Sequence, residues 1–480
     1  HMSQQRFDAL QVSPESQRAL REVLRFEYMT EVQAATLPLA MAGGDVLARA
    51  RTGTGKTMAF LLPSVERVVQ RARQGPRGGV ACLVLSPTRE LAAQIAKEAT
   101  CLAKFHRLRV ELVVGGSNMR AEQNRLLDRD GLPRLLVATP GRLVDHLENT
   151  QGVAAMLREL GTFVLDEADQ MLEMGFRPAL TKIMTYLPRP DARQTLLFSA
   201  TVPQGLHDIK HIALRPDHQY VDTVGEDEEQ THAHVPQKLA VVPFEEHLHA
   251  LDAILTNHIA TTPRHKVLCF FNTARVAGFM ANIFAHRGLD VVEMHSRKSQ
   301  AQRTRAAEAF RRGAGLVMFS SDVSARGVDY PGVTLVVQVG MVAREQYIHR
   351  LGRTARAGAA GSGVLLLSPW ERNVMTRDLS DLPLEDASAE VMGLLPSAVI
   401  QNTLQRVTQD RELKKAAEQA YQAWLGAYNS CTRPLRWSKE QLVEAANHYS
   451  AIIGLREPPA LEKKTIGKMG LKGVQGLRVA

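Results

Sequence analysis

Ala50-Arg51-Thr52-Gly53-Thr54-Gly55-Lys56-Thr57 directly follows the strand-like run Asp45-Val46-Leu47-Ala48-Arg49 and precedes a long apolar-periodic stretch. Strand, glycine-rich turn and helix start in that order form the context of a phosphate-binding loop. Its glycines let backbone N–H groups approach phosphate oxygens, Lys56 can neutralise the β and γ charges, and the Thr57 hydroxyl can ligate Mg²⁺. Ala50 stands where the bare motif has its first glycine, but Gly-Lys-Thr at a helix start makes a plain glycine turn an unsatisfactory reading.

Outward from this loop, short Val/Leu-rich runs alternate with helical stretches: DVLA, ACLVLSP, LRVELVVG, RLLVATP, FVLDEAD and TLLFSAT. Fully apolar strands separated by helices predict a parallel sheet covered on both faces. A second series follows, QKLAVVP, HKVLCFF, DVVEMHS, GLVMFSS, LVVQVG and GSGVLLLS. The acidic stretch GEDEEQTHAH between the two series has no apolar period and reads as a linker over residues 225–234. The chain therefore divides into a first α/β domain (1–224), this linker, a second α/β domain (235–395), a helical extension (396–462) and a basic tail (463–480). The tail holds Lys463, Lys464, Lys468, Lys472 and Arg478 with no acid, which suits a mobile arm, while Met469, Leu471, Val474 and Leu477 suit a packed segment equally well.

With 480 residues, 45% of them hydrophobic, the chain can bury large cores, and its net charge of +9 is compatible with a polyanionic partner without requiring one. The four cysteines are far apart and suggest neither zinc nor a disulfide framework. No apolar run approaches the ~20 residues that cross a bilayer, so no membrane is expected. His1-Met2 reads as a vector-derived scar, leaving no targeting information at this end.

Phe163-Val164-Leu165-Asp166-Glu167-Ala168-Asp169 puts adjacent carboxylates at the end of a buried strand, where Asp166 can hold Mg²⁺ through water and Glu167 can orient and deprotonate an attacking water. In the second domain, Tyr347 to Arg356 reads as one helix with Arg350, Arg353 and Arg356 on one face, a candidate arginine-finger element.

These motifs, in this order over residues 7 to about 368, resemble the DEAD-box RNA helicases. The resemblance implies two tandem RecA-like parallel-sheet domains with a helical C-terminal extension, ATP and Mg²⁺ as cofactors, and RNA held mainly at its backbone. It also implies a motor that works as a monomer and separates duplexes locally and non-processively. By the same resemblance Phe26 stacks on adenine and Gln33 hydrogen-bonds it, with Ala50, Arg51, Thr52, Gly53, Thr54, Gly55, Lys56, Thr57, Gly327 and Asp329 completing the ATP site. Lys56, Asp166, Glu167, Arg353 and Arg356 become the catalytic set, and Ser199, Ala200, Thr201 and His349 the coupling set. Arg89, Gly116, Thr139, Gly141, Arg142, Arg303 and Ser321 are assigned to RNA.

Several departures stand out: Arg25 and Met29 replace the usual Gly and Pro, Gly340 and Val342 replace D-x-P, and Ala355 replaces a glycine. The first pair leaves the adenine-reading residues untouched and points to a subgroup, while the changes at 340, 342 and 355 predict slightly altered interdomain contacts rather than lost activity. The stretches Met29-Thr30-Glu31-Val32-Gln33, Ala423 to Ser430 and Lys468 to Lys472 resemble the organellar RNA-chaperone branch, fungal mitochondrial intron-splicing helicases and plant relatives, which favours a mitochondrion or plastid. Two other classes remain in play, a non-catalytic RNA clamp and a DNA-translocating relative. ATP turnover and its preference for RNA over DNA discriminate them.

Overall fold

In the computed structural model, the described residues are 2–50, 53–73, 79–128, 133–202, 204–224, 235–322, 330–355 and 360–480. The proposed linker, 225–234, lies outside them. Two compact units emerge, His1–Glu229 and Gln230–Ala480.

In the first unit, a two-stranded antiparallel ribbon, β1 (Met2–Arg6) and β2 (Tyr28–Thr30), precedes a seven-stranded sheet. The sheet strands are β3 (Val46–Arg49), β4 (Gly79–Leu85), β5 (Arg109–Val113), β6 (Pro133–Ala138), β7 (Thr162–Leu165), β8 (Gln194–Ser199) and β9 (Gln219–Asp222). They lie in the order β5-β6-β4-β7-β8-β3-β9 and every pairing is parallel.

The second unit repeats this with β10 (Gln237–Val241), β11 (Lys266–Phe270), β12 (Val291–Met294), β13 (Leu316–Ser320), β14 (Leu335–Val339), β15 (Ser362–Leu367) and β16 (Leu384–Asp386). Its order is β12-β13-β11-β14-β15-β10-β16, again all parallel and the same permutation of strands as in the first unit. Burial on both faces explains the unbroken apolar strands: all six residues of β8 and all five of β11 are buried. In each sheet the seventh strand lies at an edge and is short and polar, Gln219-Tyr220-Val221-Asp222 and Leu384-Glu385-Asp386, so an apolar-run criterion passes over it.

The helical extension shares one apolar core with the second sheet's helices. Trp424, Tyr428 and Tyr449 lie in the same cluster as Phe244, Phe279 and Phe284. The mobile-arm reading of 463–480 is corrected. Lys463–Lys468 is helical, Ile466 and Leu471 are buried, and Leu461 bridges Val479. Polar side chains also fasten the segment: Asn429 donates to the Met469 carbonyl and Asn447 to that of Gly476. The apolar residues spaced among the lysines supply a face for packing. Among the described residues no helix is long and apolar enough to cross a membrane.

Candidate nucleotide and nucleic-acid sites

The motifs of the first unit follow the C-terminal ends of its strands, where parallel α/β sheets bind ligands. Three neighbouring strands, β7, β8 and β3, lead into 166–169, 200–201 and the phosphate-loop segment. The adjoining three, β5, β6 and β4, lead into Gly115-Gly116, Thr139 to Arg142 and Pro87 to Ala92. One sheet edge thus has a phosphate-loop half and a half bearing the other candidate anion-binding loops.

In the first half, the Ala50 N–H donates to the Ser199 carbonyl at 2.9 Å. Gly53 and Gly55 take φ of 82° and 89°, a region that favours glycine. A Cβ at Gly55 would lie 2.6 Å from Gln33 Nε2. Lys56 opens the helix Lys56–Arg73, and its Nζ lies 2.8 Å from Glu167 Oε1, with both side chains about 5% exposed or less. Burial works against the Lys56 ammonium, but Glu167 and Asp166 outweigh it and hold its pKa above the ordinary value. The Asp166 carboxyl is pushed up to about 7, by burial first and by the neighbouring Glu167 charge next, against the pull of Lys56. Its Oδ1 is buried without a hydrogen-bond partner. Thr57 is half-buried at the helix start.

Glu167 adopts φ of 54° where β7 turns into the helix Ala168–Glu173. Beyond it, Asp169 bonds to Ser199 and Thr201, two of the residues expected to couple, and the sequence reading gave it no role. Asp169 Oδ2 accepts from the Thr201 N–H (3.0 Å) and hydroxyl (2.9 Å), the Asp169 N–H donates to Ser199 Oγ, and Ser199 Oγ donates to the Thr201 carbonyl. The signal was available: Asp169 closes the acidic run, and a Ser-Ala-Thr follows the adjoining strand. Ala200 sits between the two bonded hydroxyl residues.

Gln33 is the third residue of the helix Glu31–Met41 and completes a capping box with Thr30. Its Oε1 accepts from the Thr30 N–H at 2.8 Å, and its Nε2 donates to the Gly55 carbonyl at 2.9 Å. This ties the Gln33 amide directly to the phosphate-loop segment. Phe26 is 41% exposed and backed by buried Phe7, ring centroids 6.0 Å apart, so one face is open for stacking. Arg25 and Ala355 both hold positive φ, 58° and 53°, so the glycine-favouring backbone is kept although the glycine is not.

In the other half, Thr88 and Thr139 are the N-cap residues of Arg89–Leu102 and Pro140–Asn149. Gly116 has φ of 84°, and Gly141 has open space where a Cβ would be. Arg142 turns inward: its Nη2 donates to the Ser117 carbonyl at 2.7 Å.

In the second unit, the expectation of one helix spanning all three arginines is corrected. The helix Arg344–Leu351 stops before Gly352, so Arg353 lies in the turn beyond it. Arg350 is 1% exposed and pairs with Asp322 at 2.6 Å over the Phe270 ring, a structural engagement. Arg353 is equally buried, with its Nε donating to the His349 carbonyl at 3.3 Å, and His349 itself is half-buried. Arg303 is buried and bonds Gln300, while Ser321 donates its N–H to the Met294 carbonyl at 3.3 Å. Arg51, Thr52, Gly327, Asp329 and Arg356 lie outside the described residues.

Gly340, where D-x-P would begin, has φ of 86°, and a Cβ there would meet Tyr428 Oη at 2.8 Å. That hydroxyl, from the helical extension, donates to buried Glu371, which also accepts from the N–H groups of Met341 (3.0 Å) and Ser368 (2.7 Å). The extension therefore fills the space that an aspartate side chain would need.

Residues 30–209 match the DEAD/DEAH box helicase family, and residues 246–358 match the helicase conserved C-terminal domain. DEAD-box ATP-dependent RNA helicase 26 of Oryza sativa subsp. japonica is 46% identical over the whole chain and 87% of its own length. DEAD-box ATP-dependent RNA helicase 31 of the same organism is also 46% identical, with 86% of its length covered. Among solved structures, Mss116p bound to ssRNA and AMP-PNP superposes with a TM-score of 0.84 at 27% identity, over 99% of this chain and 97% of that one.

Proposed function

The chain belongs to the DEAD-box ATP-dependent RNA helicases, and on that premise we propose that its first unit binds Mg²⁺-ATP over β7, β8 and β3 and single-stranded RNA over β5, β6 and β4. The observation that carries this reading is the division of one sheet edge into the two sets of loops. The solved structure of Mss116p with ssRNA and AMP-PNP supports it.

In this reading Lys56 has two partners. Without nucleotide it pairs with Glu167. When the β and γ phosphates of ATP draw the ammonium away, Glu167 is released to orient and deprotonate the attacking water. Hydrolysis is thereby held back until the phosphates are seated. Asp166 fits the Mg²⁺ role, because its buried Oδ1 is an acceptor without a donor and burial raises its pKa more than nearby Lys56 lowers it. The ion, when bound, neutralises the phosphate charge that develops in transfer. Asp166 and the Thr57 hydroxyl would hold the ion together with the phosphates and water.

The Asp169–Thr201–Ser199 network passes a change at the nucleotide to the β8 loop, and Ser199 reaches the phosphate loop through Ala50. RNA is taken at phosphates and 2′-hydroxyls with little regard to sequence. A role in organellar RNA remodelling rests on the three sequence stretches that resemble that branch. Steady-state ATP hydrolysis measured alone, with single-stranded RNA and with single-stranded DNA tests the reading. RNA stimulates turnover; stimulation by DNA to the same level, or by neither, overturns it.

A further inference from the structure

We propose that Glu122 is a positioning residue for the RNA site, and that Arg142 serves RNA by holding a loop rather than by contacting phosphate. The inference rests on the RNA reading above and adds two things: a residue that no motif includes, and an indirect role for one that a motif does include.

Glu122 lies in the helix Met119–Leu127, directly after the loop that carries Gly115-Gly116, and is 1% exposed. A carboxylate buried beside a polyanion's path costs affinity unless it organises something. One oxygen, Oε1, turns back onto the loop, accepting from the Val114 N–H at 3.2 Å and lying 2.5 Å from Ser117 Oγ. The other, Oε2, faces the helix Pro140–Asn149 of the neighbouring motif, 3.0 Å from His146 Nε2 and 3.6 Å from Arg142 Nε. His146 is fully buried, and its Nδ1 meets Thr150 Oγ1 at 3.0 Å.

Arg142 closes the circuit by donating to the Ser117 carbonyl, with only 11% of its side chain exposed. The third motif joins from the other side, since a Cβ on Gly115 would lie 2.9 Å from Arg89 Nη2. Burial alone would raise the Glu122 carboxyl, but His146 and Ser117 outweigh it and hold it below the ordinary range, as expected of a carboxylate kept ionised. One buried side chain thus fixes, through its hydrogen bonds, the loops of Gly116 and Thr139 relative to each other.

The salt dependence of RNA affinity separates indirect from direct action. A phosphate contact contributes about 0.7 to the slope of log affinity against log salt for a single strand, whereas a residue that only orients a loop contributes nothing. The parent, Glu122→Ala, Glu122→Gln and Arg142→Gln are compared by RNA-stimulated ATPase and by RNA titration across a salt series. Glu122→Ala raises the half-maximal RNA concentration tenfold or more while the KM for ATP stays within twofold. Glu122→Gln recovers most of that loss, because its amide oxygen keeps the Val114 bond and a His146 tautomer shift accepts its N–H. Arg142→Gln weakens RNA binding at an unchanged slope.

Parent-like RNA dependence in Glu122→Ala, equal losses for ATP and RNA, or a slope reduced by about 0.7 in Arg142→Gln overturns the proposal. If Glu122→Ala does not fold, Ser117→Ala, which removes a single donor, carries the same RNA readout. A parent unresponsive to RNA would instead fail the underlying reading.

Discussion

Replacing Lys56 by Met removes the ammonium, keeps the side chain's bulk and leaves Glu167 and Asp166 as buried carboxylates without a counter-charge. Breaking a buried pair by removing one partner costs about 3–5 kcal/mol while the remaining charge stays ionised. The carboxylates can escape part of that cost by taking up a proton, and Asp166 already titrates at about 7 beside Lys56. Without the cation its pKa rises further. A folded-state pKa above the unfolded value contributes stability below the unfolded pKa and loses it as pH rises through the folded one. Lys56→Met is therefore close to the parent near pH 6 and falls behind above pH 7 by about 1.4 kcal/mol per pH unit for the one proton Asp166 retains, about 2 kcal/mol by pH 8.5. For a unit of this size the gap is about 2–4 °C of melting temperature per kcal/mol. The assay is calorimetric unfolding of nucleotide-free protein from pH 6 to 8.5, beside ATPase at each pH. A stability gap that does not change with pH refutes the argument that Lys56 compensates buried carboxylates, whatever happens to turnover.

Because a proton on Asp166 excludes a cation, Mg²⁺-ATP affinity falls as pH drops below about 7, and binding there releases a proton, measurable by calorimetry in buffers of different ionisation heat; pH-independent binding from 6 to 8 would contradict this. Arg25→Gly relieves a left-handed residue and stabilises the first unit by roughly 1 kcal/mol, seen as a higher melting temperature; a lower one would show that the arginine side chain outweighs the strain. Tyr428→Phe removes a donor from buried Glu371, whose pKa burial already holds above the ordinary carboxylate value, and costs the second unit about 1–3 kcal/mol, most at high pH; an unfolding midpoint equal to the parent's at pH 8 would discount that bond. Deleting 463–480 unseats Leu471 and destabilises the second unit, whereas Lys463, Lys464, Lys468 and Lys472 changed together to Gln preserve the melting temperature and flatten the salt dependence of RNA binding; an unchanged salt slope would leave those lysines without an RNA role.

The first sheet's six apolar strands and the order of the motifs could be read directly, because a strand buried on both faces leaves an unbroken apolar run and a phosphate loop needs glycine where φ is positive. Edge strands β9 and β16 could not, since an edge tolerates polar residues. Spacing alone placed Arg353 on a helix that in fact stops at Leu351. Partners distant in sequence, Lys56 with Glu167 or Tyr428 with Glu371, leave no local pattern. The tail illustrates a conflict of signals: its lysines suggested a free arm, yet Ile466 and Leu471 buried it.

Strand separation of a short RNA duplex, followed for the parent and for Glu167→Gln under single and multiple turnover, tests the central claim most directly. The account predicts that the parent separates strands only with ATP, and that Glu167→Gln binds RNA with ATP but does not recycle, since the amide keeps the shape of the base without its proton affinity. Separation that proceeds equally without ATP, or Glu167→Gln turning over as fast as the parent, would contradict it.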